Sequence, residues 1–136
     1  MSGTEHPLEE FVRVAEFRSA LRRFARGSER AARRWGLTPQ RYQLLLMIKG
    51  APSGRQSSTV TELADRLQLA QSTVTELVGR AEEAGLVQRA PSAADGRVAN
   101  LRLTEEGEQR LNEAFAELEA DRQSLLEAFL TLAQRL

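Results

Sequence analysis

Ser72, Thr73 and Thr75 open a segment in which Val74, Leu77, Val78 and Ala81 recur at helical spacing. Gln71, Glu76 and Arg80 share the polar side with those hydroxyls. Short hydroxyls at a helix start allow close approach of a partner, and the free N–H groups there favour a phosphate. Glu76, a turn further on, adds an acceptor of the kind that meets base edges. Further along, Asp95-Gly96-Arg97 puts a cation at a turn, beside a carboxylate able to hold its guanidinium in place. This set is equipped for hydrogen bonding and charge pairing. No Ser/His/Asp set, phosphate loop or carboxylate pair stands out, so no catalytic residue is assigned and an enzyme is not expected.

Other chemistries are bounded by composition. Cysteine is absent and His6, in a polar start segment, is the one histidine. Thiol catalysis, disulfides and Cys- or His-ligated metal are excluded for this chain, and no cofactor is expected. No apolar run approaches the roughly 18 residues that span a membrane, and the start carries no apolar signal-like segment. A cytoplasmic location, with no membrane partner, is the expectation.

The elements that must position these residues follow from periodicity. A first helix runs from about Leu8 to Arg34, with Phe11, Val14, Leu21, Phe24 and Ser28 on one stripe. Thr38-Pro39 restarts a helix through Tyr42, Leu45, Leu46 and Ile48 to Lys49, apolar on most sides and therefore central. Gly50 to Ser58 is a loop. A third helix spans roughly Thr61 to Leu67, capped by Thr59 in a capping box with Glu62 or by Thr61. The fourth spans about Gln71 to Ala84 and ends at Gly85. Leu86–Arg89 and Val98–Leu103 read as strands joined by a turn-rich loop. Thr104 caps a final helical stretch, in which Leu111, Phe115, Leu118, Arg122, Leu125, Phe129, Leu132 and Leu136 form a heptad-like seam. Asp121-Arg122 is the expected bend.

Two short helices, a strand, a loop and a second strand make a helix-turn-helix with a β-wing, which offers one helix and one loop to duplex DNA. The fold class is mainly α with a small β-hairpin wing: a winged helix-turn-helix flanked by N- and C-terminal dimerisation helices. Net charge is zero, which looks wrong for a partner of DNA, but its distribution is uneven. Residues 1–36 carry eight Arg against five Glu, and residues 37–103 eight bases against six acids. Residues 104–136 carry three Arg against eight acids and should face away from DNA. A single chain this small leaves the long seam under-covered, which favours a homodimer.

The chain resembles the MarR family of bacterial winged-helix regulators over nearly its whole length. The matching pieces, in order, are Leu37-Thr38-Pro39-Gln40, Glu62-Leu63-Ala64, Ser72-Thr73-Val74-Thr75, Gly85-Leu86-Val87 with Arg89, Asp95-Gly96-Arg97, and Leu103-Thr104-Glu105-Glu106-Gly107. The resemblance implies a homodimer held by the terminal helices, binding to an inverted-repeat operator on double-stranded DNA, and often release by a small ligand. Residues 1–136 are then one domain, with 8–36 and 104–136 for dimerisation and 37–103 for DNA. Gln71, Ser72, Thr73, Thr75, Glu76, Arg80, Asp95 and Arg97 are the expected DNA-binding residues.

Some positions depart from the family pattern. Gln68 stands where glycine is common, so the turn needs another backbone conformation or carries strain. Ala70 stands where a capping Ser is common, and Ser72 is a substitute cap. Glu76 either accepts from cytosine N4 or weakens non-specific binding. An effector, given the residue content, is a small aromatic or amphipathic molecule. Its expected place is near Phe17, Leu21, Trp35 and Tyr42, with Arg22 or Arg41 pairing a carboxylate on it. The competing readings are a winged-helix protein-interaction module and a small-molecule-binding protein, neither binding DNA.

Overall fold

The computed structural model of the chain describes residues 5–91 and 98–134. Among them lie six α-helices and one hairpin: α1 (Leu8–Arg34), α2 (Pro39–Lys49), α3 (Val60–Leu67), α4 (Gln71–Glu83), β1 (Val87–Pro91), β2 (Ala99–Leu103), α5 (Glu105–Glu117) and α6 (Glu119–Ala133). A single 3-10 turn, Pro52–Gly54, interrupts the loop after α2. The mainly helical winged helix-turn-helix with a two-stranded wing is the fold.

The central helix is α2. Thr38 Oγ1 accepts from the Arg41 N–H, and Pro39 occupies the first turn, where a missing N–H costs nothing. Tyr42, Leu44, Leu45 and Ile48 are buried on it, against α1, α3, α4, α5 and β2. The core continues through Leu63 and Ala64 of α3, Val74, Leu77, Val78 and Ala81 of α4, Leu86, Val87, Leu101 and Leu103 around the hairpin, and Leu111, Ala114 and Leu118. The hairpin is antiparallel, with Val87 opposite Leu103 and Arg89 opposite Leu101. Ser58 adds a bridge on the far side of β2, exchanging backbone hydrogen bonds with Leu101 at 3.1 and 2.8 Å. That third pairing has no strand-like run to announce it in the sequence.

In α1 the burial differs from the expected stripe. Phe11, Val14 and Leu21 are exposed, and the buried positions are Ala20, Gly27, Ser28, Ala31 and Ala32. The helix is packed closely by α6 and α5, and close crossing selects small side chains over large ones. At Gly27 an added Cβ would run into the Asp121 carboxylate.

The seam is divided as well. Leu111 and Leu118 are buried in the chain's own core, Leu125 and Leu132 are partly covered, and Phe115 and Phe129 are exposed. Leu136 lies outside the described residues. The break between α5 and α6 comes at Leu118, not at Asp121-Arg122. Arg122 holds that break: Nη1 donates to the Phe115 carbonyl at 2.7 Å, and its guanidinium lies 3.7 Å from the Phe115 ring centroid. The charged residue that interrupts the seam thus adds a second donor to the Phe115 carbonyl, which also accepts from the Leu118 N–H at 3.2 Å. Phe17 meets Phe129 at 6.1 Å, so α1 and α6 pair within one chain. Leu8, Phe11, Val12 and Val14 of α1 and Leu126, Phe129 and Leu130 of α6 remain exposed.

Candidate nucleic-acid interface

The start of α3 is set by Thr59, not Thr61. Thr59 Oγ1 accepts from the Glu62 N–H at 3.2 Å, and Glu62 Oε1 accepts from the Thr59 N–H at 2.9 Å, a complete capping box. Arg55 Nη1 donates to the other Glu62 oxygen at 3.0 Å. The Thr59 backbone N–H, aided by Arg55, holds the Glu62 carboxyl below the usual carboxylate range. Arg66 ties α3 to α2 by donating to the Met47 carbonyl at 3.1 Å.

The turn to α4 is made by Gln68 in the left-handed conformation, φ 57° and ψ 47°. This is where glycine would cost least. Gln68 Nε2 donates to the Asp65 carbonyl, offsetting part of that cost. Leu69 N–H donates to the Ala64 carbonyl at 3.0 Å and closes the end of α3. Ala70 occupies the N-cap of α4 with no side-chain hydrogen bond. Ser72 does not replace it: it is the second residue of the helix and is exposed. Its hydroxyl is left for a partner.

Burial of Val74, Leu77, Val78 and Ala81 turns the other side of α4 outward. Gln71, Ser72, Thr73, Thr75, Glu76 and Arg80 are all exposed there. Arg80 Nη2 and Glu76 Oε1 stand 3.7 Å apart, a solvated pair that is weak and easily exchanged for other partners. Asp95 and Arg97, the expected wing-tip pair, lie outside the described residues. At the base of the wing, Arg89 binds Glu82 through two hydrogen bonds of 2.8 and 2.7 Å. That hydrogen bonding lowers the Glu82 pKa and raises that of Arg89. The clamp joins the wing to α4; the alternation of the strand alone does not reveal it.

A node behind α4 joins this unit to α5. Thr104 Oγ1 donates to the Gly85 carbonyl and accepts from the Gly107 N–H at 3.0 Å. Gly85 ends α4 with φ +77°, a conformation that favours glycine. Gly107 lies against the Leu86 carbonyl so closely that a Cβ would collide with it.

The six residues expected at one ligand site are dispersed. Tyr42 is 3% exposed in the core, and burial pushes its phenol pKa up. Leu21 lines a cleft of about 390 Å³ with Phe24, Pro39 and Gln43. Trp35 lines another, of about 330 Å³, and donates to Glu117 Oε1 at 3.0 Å. Phe17 packs on Phe129, Arg22 is exposed, and Arg41 is partly covered at the start of α2. The physical reason is that α2 is enclosed on several sides, which draws Tyr42 inward. Among the described residues, no cluster of three or more His, Asp or Glu suits a metal ion.

With that geometry in place, comparison with known proteins is direct. A family model described as MarR family matches residues 35–98. The HTH-type transcriptional repressor IacR of Pseudomonas putida is 33% identical over 99 residues, covering 71% of this chain and 57% of that protein. The HTH-type transcriptional repressor MdtR of Bacillus subtilis (strain 168) is 33% identical over 81 residues, covering 60% and 50%. The chain thus spans about half the length of these two relatives. Among solved structures, Sco3205 of Streptomyces coelicolor, a MarR family transcriptional regulator in complex with DNA, superposes with a TM-score of 0.69 at 26% identity, covering 93% of this chain and 79% of that one. Motif order, hairpin, helix topology and relatives agree in placing residues 35–98 with the MarR family of winged helix-turn-helix proteins.

Proposed function

We propose that the chain is a DNA-binding transcriptional regulator that works as a homodimer on a pseudo-palindromic operator in the bacterial cytoplasm. The observation that carries this reading is α4: its apolar stripe is buried and its polar side stands free, as a helix in the major groove requires. On this reading Gln71, Ser72, Thr73, Thr75, Glu76 and Arg80 meet the groove, and Asp95 with Arg97 serves the wing tip. Residues 1–136 act as one domain, 37–103 for DNA and 8–36 with 104–136 for dimerisation. The apolar residues left exposed on α1 and α6 support the second assignment. Repression is the mode favoured, because IacR and MdtR carry that name. No catalytic step enters this reading. A small aromatic or amphipathic effector belongs to it, at the cleft between α1 and α2 beside Leu21.

The test is selection of duplexes from a randomised pool by the purified chain. The enriched sequences are then titrated by fluorescence anisotropy at several salt concentrations. The expected product is an inverted repeat with half-site centres about 34 Å apart, bound by a species that sediments as a dimer. Affinity should fall steeply with salt. A pool that yields no enriched sequence overturns the reading and leaves the interaction-module alternative.

A further inference from the structure

Gly79 sits inside α4, where glycine is among the least favourable residues. Neither of the usual reasons for a glycine applies. Its φ is not positive; among the described glycines that holds for Gly36, Gly54 and Gly85. Nor does the fold crowd it: an added Cβ meets no atom within 4 Å outside the local backbone. The neighbouring case of Gly107, pressed against the Leu86 carbonyl, is the contrast.

Its place on the helix is informative. With 3.6 residues per turn, Ser72, Glu76, Gly79 and Glu83 form the line opposite Val74, Leu77, Val78 and Ala81. A helix lying in a groove approaches its partner most closely along that line. Gly79 is a notch in the line, with Glu76 and Glu83 on either side. Glu83 on one side and Glu76, loosely paired with Arg80, on the other disfavour phosphates, whereas a carboxylate accepts from the amino group of a base. The notch therefore fits base edges on the groove floor and not the sugar–phosphate strand.

We infer that Gly79 sets the depth of α4 in the major groove: its missing side chain lets the helix backbone approach base edges that any larger residue would hold away. This rests on the DNA-binding reading above and names the position on which its specificity depends.

The test compares wild type, Gly79→Ala and Gly79→Leu in two measurements. In thermal unfolding, Gly79→Ala should melt about 4 °C higher, because alanine is the better helix former. In anisotropy titrations, its affinity for a duplex selected by the wild type should fall on the order of tenfold, and further for Gly79→Leu. Affinity for a shuffled duplex of the same length should change less than about twofold, since that binding is governed by phosphate charge. A more stable protein that binds its selected duplex less well is the expected signature. Unchanged affinity in Gly79→Ala, equal loss on both duplexes, or a lower melting temperature each overturn the inference. The wild-type titration separates the two levels. A wild type with no sequence preference removes the DNA-binding reading and this inference together; a selective wild type with an unaffected Gly79→Ala removes this one alone.

Discussion

Arg89 of β1 holds both carboxylate oxygens of Glu82 on α4, Nε to Oε2 at 2.8 Å and Nη2 to Oε1 at 2.7 Å. The two parallel bonds fix an angle as well as a distance, which a single lysine ammonium cannot do. The pair thereby sets the direction in which the wing leaves the helix-turn-helix. Its stability contribution is small, since the two side chains are 50% and 27% exposed.

Arg89→Lys is expected to lower unfolding stability by only about 0.5 to 1 kcal/mol in urea titrations. It should nonetheless weaken binding to a selected duplex severalfold, because the wing is no longer aimed. A double-mutant cycle with Glu82→Gln should recover a favourable coupling. Additive single effects would show that the two side chains act independently.

The acid limb of stability follows from two carboxylates. Glu62 and Glu82 both have folded-state pKa values lowered, by the Thr59 backbone N–H and by Arg89 respectively. A lowered folded pKa means that the stabilisation is complete above the ordinary carboxylate value, about 4.3 for Glu. It is lost as pH falls through the depressed value. Melting temperature should therefore be level from neutral pH down to about pH 5 as far as these groups are concerned, and fall below it. Glu82→Gln should make that fall shallower. An unchanged slope would assign the acid limb to other groups.

The two helices of the recognition unit are capped unequally, and stability should respond in opposite senses. Thr59→Ala removes a capping box and should cost about 1 kcal/mol. Ala70→Ser places a hydroxyl at an N-cap whose backbone, φ −66° and ψ 148°, already suits it. It should add about 1 kcal/mol. Chemical denaturation of both variants is the check, and a destabilised Ala70→Ser would mean that the hydroxyl is not aimed at the α4 N–H groups.

Gly107→Ala should be among the most costly single-methyl additions, about 2 to 3 kcal/mol, because the obstacle is the Leu86 carbonyl and backbone moves with difficulty. Gly54→Ala is a useful comparison. No atom lies within 4 Å of the added Cβ there, although φ is +71°. A larger loss at Gly54 than at Gly107 would mean that backbone conformation outweighs collision in this chain.

Much of the fold is written in local chemistry. Thr38-Pro39 starts a helix and Gly85 ends one because a cap, a missing N–H and a positive φ act over a few residues. The polar face of α4 is equally local: the spacing of Val74, Leu77, Val78 and Ala81 leaves Ser72, Thr73, Thr75, Glu76 and Arg80 outside, and the structure exposes them. Tertiary packing decided what periodicity leaves undetermined. Phe11, Val14 and Leu21 of α1 point outward while Ala20, Gly27, Ser28, Ala31 and Ala32 face the helices packed against it, and a stripe of spacing carries no information on how near the partner helix comes. The helix breaks at Leu118, where the Phe115 carbonyl accepts from both the Leu118 N–H and Arg122 Nη1, a pairing visible only once the helix end is placed. The expected ligand residues are dispersed because enclosure of α2 draws Tyr42 into the core and leaves Leu21 and Trp35 in separate clefts. The Glu82–Arg89 clamp and the Ser58–Leu101 bridge are contacts between elements, where residue type and spacing along the chain say nothing of who will meet whom.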